Sequence, residues 1–364
     1  NMDLSIFEIH SSYIKGESGE ILHSLSENFD RMEEEKQELY FGNFKKLLSG
    51  QLGSKLYELD FNGSSEECGQ KLLYNTLKHP SSKRALIERI AENVKYNTDY
   101  IITLIYAKYL KPVKKNDVSD DIDEVLNTSY SFDFIMCTIN ELTPPKRCLR
   151  FDFEEKEILP NSILDLTINL SSPLDGFMFP AFNDNSADVN RVIYSTKKAN
   201  CPNLEFVEKV LDSKIEMTAD EEKQKFGNLI KTAIGETVNV DTIHNIYEEI
   251  NKRIEGVEGS EIPALDKNEI KRILENCGVE EVDKLDKHFE EIVGRDKYGF
   301  KATSILPSYT TKSIKINNPI ANIAISPKEL NNVEQIIRNG KKCLVIELED
   351  DLFIDGFKIE AKNN

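Results

Sequence analysis

No C-x-x-C pair, no H-x-x-x-H and no H-E-x-x-H occurs in these 364 residues. Those absences exclude the common zinc-ribbon, zinc-redox and zinc-hydrolase signatures. There is no G-x-S-x-G nucleophile elbow. The stretch SGQLGSK at 49–55 lacks the spacing of a phosphate loop and follows no strand signal, so Gly50 and Gly53 read as letting a helix turn or pack closely. No catalytic residue, metal site or cofactor is indicated. Cys68, Cys137, Cys148, Cys201, Cys277 and Cys343 are scattered, which points to reduced, mostly buried thiols rather than a disulfide framework. The longest apolar run, YIITLIYA at 100–107, is far too short to span a bilayer and fits a buried strand. No basic region followed by a long apolar stretch opens the chain, so no signal peptide and a cytoplasmic location are expected. Asn1 before Met2 reads as an expression remnant. There is no internal repeat, sustained heptad or low-complexity tract.

What is present suits a folded, soluble protein with a sizeable core: 39% hydrophobic and 30% charged residues. The length predicts two or three domains. The formal net charge of −18 disfavours nonspecific contact with nucleic acid or anionic membrane. The bias is uneven. Residues 201–300 carry fourteen basic and twenty-four acidic side chains, whereas 301–364 carry nine and eight. Lys312, Lys315, Lys328, Arg338, Lys341 and Lys342 fall in that last segment and are the candidates for a phosphate-contacting patch.

Hydrophobic periodicity predicts a first strand over 4–14, helical character over 29–59, a capped amphipathic helix over 81–97 beginning at Ser81 and Ser82, and a strand at 100–110. Residues 111–129 are charged and rich in breakers, and read as a loop. The period then becomes two: 131–142, 147–153, 162–170, 176–182 and 189–195 are five candidate strands with tight links, which predicts an antiparallel sheet. From 201 to about 296 helices dominate. One stripe joins Ile243, Ile246, Tyr247, Ile250 and Ile254, with Asp241 as its cap; Asp266 and Glu269 fit a capping box; Val282, Leu285, Phe289 and Ile292 make a further stripe ended by Gly294. Asn339-Gly340 between two apolar arms signals a type I′ hairpin, and Asp355-Gly356 repeats the device more weakly. The expected fold is α+β: an α+β domain over 1–200 with an antiparallel sheet, an acidic helical segment over 201–300 and a β-hairpin segment over 301–364.

The least ordinary stretch is GFMFPAFNDNSAD, Gly176 to Asp188. Asp184, Ser186, Asp188 and Asn190 place oxygen ligands at alternate positions, as a calcium loop does. Val189 and Ser195 then stand where such a loop needs Gly and a bidentate Glu, so it is no EF-hand. Two readings stand: an Asx-type turn closing a strand, or a polar pocket rim made by Asn183, Asp184, Ser186 and Asp188. The carboxylates Glu347, Glu349, Asp351 and Asp355 read as a solvated sheet face.

FKKLLSGQLGSKL (44–56), DGFMFPAFNDNSADVNRVIYSTKK (175–198), PALDKNEIKRILENCGV (263–279) and NGKKCLVIELEDDLFIDG (339–356), in this order, resemble the bacterial family catalogued as domain of unknown function 4317. The resemblance covers nearly the whole chain and FPAFND is its most specific part. It implies no activity, cofactor or catalytic residue. The family's usual short leading segment is absent here, so a truncated chain is expected. The order of elements alone also resembles bacterial nucleoid-associated proteins, an analogy of layout. The leading expectation is a non-enzymatic binding or assembly protein with protein partners and no membrane role, homo-oligomerisation being open. A nucleic-acid-linked protein and an enzyme with a site near Asn183–Asp188 are the alternatives.

Overall fold

Uninterrupted apolar runs in the middle of the first half call for strands buried on both faces, and alternating runs call for strands buried on one. The computed structural model describes residues 3–63, 68–112, 129–144, 149–160, 165–183, 186–235, 239–256, 263–306, 314–351, 353–354 and 357–358. It divides into two units, Asn1–Thr218 and Ala219–Asn364.

The first unit is built from β1 (Asp3–Ile14), β2 (Ile21–Asn28), α1 (Glu34–Leu47), β3 (Leu56–Asp60), α2 (Gly69–Lys78), α3 (Lys83–Asn93), β4 (Tyr100–Pro112) and β5 (Ser129–Thr143). It continues with β6 (Leu149–Asp152), β7 (Glu157–Pro160), β8 (Thr167–Ile168), β9 (Asp175–Phe179), β10 (Ala181–Asn183), β11 (Ser186–Asp188) and β12 (Arg191–Thr196), then a π-helical turn at Phe206–Val210. The main sheet runs β2-β1-β4-β5-β9-β12-β3, with β8 beside β5. Its pairings are antiparallel.

Both faces of this sheet are covered. Leu104, Ile135, Cys137, Phe177, Phe179 and Tyr194 pack under Leu73 of α2, Leu86, Ile87 and Ile90 of α3, and Phe206 and Val210 of the π-helical turn. On the other face Ile9, Ile105, Phe134 and Met136 pack against Phe29 and against Phe44 and Leu47 of α1. Double coverage is why β4 reads as a continuous apolar run.

Several expectations are corrected. The helix predicted over 29–59 is a 3-10 turn at Phe29–Arg31 followed by α1, which ends at Leu47; Leu56–Asp60 is an edge strand. The break comes at Gly50 and Gly53, whose φ values of 143° and 78° are left-handed and incompatible with continuing a helix. The helix predicted over 81–97 is α3, preceded by a 3-10 turn at Pro80–Ser82, and Ser82 makes no side-chain capping bond. The candidate strand at 162–170 is the two-residue β8 within the described residues. The charged 111–129 segment lies outside the described residues from 113 to 128. Of the cysteines, Cys68, Cys137, Cys201, Cys277 and Cys343 are free thiols, and Cys148 lies outside the described residues.

The second unit holds α4 (Ala219–Ile234), α5 (Val240–Glu255), β13 (Ala264–Leu265), α6 (Lys267–Asn276), α7 (Lys284–Val293), β14 (Phe300–Lys301) and α8 (Ala302–Ile305). Three hairpins follow: β15 (Ile314–Asn318) with β16 (Ala321–Ile325), β17 (Val333–Arg338) with β18 (Lys341–Ile346), and β19 (Phe353–Ile354) with β20 (Phe357–Lys358). Phe300 packs between Phe226 and Phe289. Asn239, not Asp241, caps α5, accepting from the Asp241 N–H. Asp266 accepts from the Glu269 N–H at 2.8 Å, half of the predicted capping box, while Glu269 turns to Arg253 and Arg272. Gly294 ends α7 with φ 86°.

Asn339 and Gly340 have φ of 51° and 73°, the two left-handed residues of a type I′ turn. Gly340→Val forces a β-branched residue into that region and is expected to cost about 1–2 kcal/mol. An unchanged denaturation midpoint of the second unit would contradict it.

Candidate functional site

The stretch from Gly176 to Asp188 forms a strand and a hairpin. After the cis Phe179–Pro180 bond, β10 pairs antiparallel with β11, with Ala181 opposite Asp188, Phe182 opposite Ala187 and Asn183 opposite Ser186. Phe182 fastens this hairpin to the main sheet, its ring lying 5.5 Å from that of Phe134, 5.6 Å from Phe132 and 6.4 Å from Tyr109. Asp184 lies outside the described residues, Asn183 is placed by its backbone, and Ser186 is exposed on β11. Asp188 accepts from the Asn190 N–H at 2.9 Å and faces Arg191 at 3.7 Å. An Asx turn therefore occurs at Asp188. Gln70 of α2 pins the same corner, donating to the Val189 carbonyl and to Asn190 Oδ1, each at 3.0 Å.

Four of the basic candidates lie on two hairpins. Lys315 is exposed on β15, and Arg338, Lys341 and Lys342 are exposed at the tip of β17–β18, where Arg338 pairs directly with Lys341. Lys312 lies outside the described residues, and Lys328 faces Glu329 at 3.5 Å. Glu347, Glu349 and Asp351 follow β18 rather than alternating along it, because the strand ends at Ile346, and they are exposed; Asp355 lies outside the described residues. Among the described residues no group of three or more His, Cys, Asp or Glu is placed to hold a metal ion, and no helix is long and apolar enough to cross a membrane.

Two features escaped sequence reasoning. The first is the buried carboxylate of Asp175, at the start of β9 and 3% exposed. Tyr194 donates to its Oδ1 at 2.5 Å; Tyr96 and Asn203 donate to its Oδ2 at 2.6 and 2.9 Å. The Tyr194 hydroxyl in turn accepts from the Asn203 N–H at 2.9 Å. Burial without a cationic partner pushes the Asp175 carboxyl up to about 6, against the pull of those three donors. The same burial pushes the thiol of fully buried Cys137 far above its ordinary range, which leaves it inert.

The second is the β6–β7 hairpin. Leu149, Phe151 and Ile158 are 72%, 50% and 67% exposed, and Phe153 at the turn is 85% exposed. Phe151 sits directly opposite Ile158, and the Phe151 and Phe153 rings meet edge to face at 5.1 Å. The period-two signal of 147–153 was legible; that its apolar residues face solvent was not, because alternation is the same whether a face is buried by its own chain or not.

No curated protein and no solved structure matches the chain significantly. The family model described as a domain of unknown function, DUF4317, matches residues 1–357, essentially the whole chain, and the protein belongs to that family.

Proposed function

We propose that this is a binding or assembly protein that holds a protein partner on the β6–β7 hairpin. The observation that carries the reading is the exposed cluster of Leu149, Phe151, Phe153 and Ile158. Contiguous exposed aromatic and aliphatic side chains are costly in water and mark association surfaces. The turn they flank, DFEEKE at 152–157, holds four acids and one lysine. The fitting occupant is a protein with an apolar groove bordered by basic residues. Such a partner buries the rings while its cations offset the turn's charge.

The test compares the wild-type chain with Phe151→Ser/Phe153→Ser, both immobilised in native extract. Aromatic anchors of this kind carry 2 kcal/mol or more, so retention of the partner is expected to fall at least about tenfold while the melting temperature is unchanged. Equal retention, or retention only of a second copy of this chain, would contradict the reading.

A nucleic-acid reading draws on the β17–β18 tip, where exposed Arg338, Lys341 and Lys342 make no ion pair with the described residues. It requires DNA or RNA affinity that falls steeply with salt and is lost in Arg338→Glu/Lys341→Glu.

A further inference from the structure

β1 and β2 place a polar ladder on a sheet face that is otherwise apolar. Glu8, His10 and Ser12 alternate along β1, and Ser26 and Ser24 stand directly opposite His10 and Ser12 on β2. Ser12 is fully buried and His10 is 7% exposed. Beside them opens a cavity of about 480 Å³, lined by His10, His23, Ser24, Lys83, Arg84 and Ile87 among others.

The hydrogen bonds of this ladder run in one direction, fixed by counting protons. Ser26 Oγ donates its single proton to Glu8 Oε1 at 2.9 Å. It also accepts from Lys83 Nζ at 2.9 Å. With its proton spent, Ser26 can meet His10 Nδ1, 2.8 Å away, only as an acceptor, so the imidazole carries its proton on Nδ1. Burial, and then the charge of Lys83, lowers the basicity of His10 against the pull of Glu8 and favours the neutral ring. Nε2 is therefore an open acceptor, and Ser12 Oγ, 3.3 Å away, donates to it. Ser12 has now spent its own proton, so Ser24 Oγ donates to Ser12 at 2.8 Å. The chain reads Ser24 to Ser12 to His10 to Ser26 to Glu8.

We propose that Ser24 is the nucleophile of an acyl-transfer site for small esters. Ser24 lines the cavity and stands at the head of a relay ending on a neutral imidazole. Attack of Ser24 Oγ on an ester carbonyl forms the Oγ–C bond. The Ser24 proton passes to Ser12 and the Ser12 proton to His10 Nε2. The imidazolium then donates Nδ1–H toward Ser26 and Glu8, which hold it in place, as the carboxylate of a catalytic triad does. Collapse breaks the bond to the alkoxy group, which leaves as an alcohol with the proton from His10. Water releases the acid by the same steps in reverse. Lys83, paired with Glu8, and Arg84, paired with Glu88, add positive charge to the cavity wall, and Ile21, Leu22 and Ile87 supply its apolar part. Ser24 is the catalytic residue; Ser12 and His10 move its proton; Ser26 and Glu8 are positioning residues. This site is separate from the β6–β7 hairpin and stands or falls independently of it.

A fluorophosphonate probe tests the assignment on the whole chain. Ser24 Oγ displaces fluoride from phosphorus, and its proton leaves through the relay. The expected result is a phosphonyl adduct on the peptide carrying Ser24, absent in Ser24→Ala. Ser12→Ala breaks the relay without removing a charge, and is expected to slow labelling by about a hundredfold, the scale of general-base assistance. Circular dichroism confirms that each variant is folded. No adduct on folded wild-type protein, an adduct on another residue only, or equal rates in wild type and Ser12→Ala would overturn the proposal.

Discussion

Asp175→Ala is expected to destabilise the first unit by about 3–5 kcal/mol, because it strands buried donors that now share one carboxylate. Tyr96, Tyr194 and Asn203 come from three separate segments, and Asp175 is where they meet. At low pH Asp175→Asn is no rescue. With its amide toward Tyr96 and Asn203 it opposes the Asn203 amide, whose own oxygen already accepts from the Phe206 N–H. With its amide toward Tyr194 it points a donor at a hydroxyl that already accepts from the Asn203 N–H. A cost of about 2–3 kcal/mol follows at low pH. The pH dependence carries a sign. Burial raises the folded carboxyl to about 6, against an ordinary 3.8 in the unfolded chain. The folded state thus binds more protons between those values, and this contribution is fully present below about 4 and lost as pH rises through about 6. Relative to Asp175→Asn, the wild type should gain about 3 kcal/mol as pH falls from 7 to 4, from two pKa units at 1.36 kcal/mol each. Denaturant titrations at both pH values check this. A difference that is flat or shrinks as pH falls would mean that the carboxylate is held ionised.

Gly176→Ala is the second large effect. An added Cβ would lie 2.3 Å from the Cys137 carbonyl oxygen of neighbouring β5 and 2.5 Å from Leu47 Cδ1 of α1. The first contact is backbone in mid-sheet and cannot move aside. A loss of about 2–3 kcal/mol is expected, at the upper end for overpacking. Gly42→Ala, inside α1 with nothing within 4 Å of its new Cβ, should instead stabilise by up to about 1 kcal/mol. Matched denaturation curves decide, and equal midpoints for the two variants would contradict the close approach of α1 to the sheet.

Most strands were legible where apolar side chains alternate or run together, as in β1, β4, β5 and β17–β18. β2 was not, because HSLSE at 23–27 alternates polar groups on an edge strand and carries little hydrophobic signal. α2 was hidden in the same way between breaker-rich flanks. The over-long first helix shows that apolar spacing does not see a left-handed glycine; Leu52 and Leu56 fit helical spacing across Gly53. Asp175 was invisible for a different reason. Its partners lie 79, 19 and 28 residues away and only the sheet brings them together. The serine–histidine ladder did leave a trace: E-x-H-x-S followed by S-x-S puts five polar side chains on one face of a hairpin. The polar cluster of FNDNSAD drew attention first, and it belongs to a small hairpin whose apolar residue, Phe182, does the anchoring.

The most direct test of the binding reading replaces Phe153 with a photo-crosslinking phenylalanine analogue in the native cell. A matched replacement at Leu39 of α1, 54% exposed on the same unit, serves as the control. Irradiation should join position 153 to one protein partner and leave position 39 without that adduct. No adduct at 153, or the same adducts at both positions, would contradict a docking role for the β6–β7 hairpin.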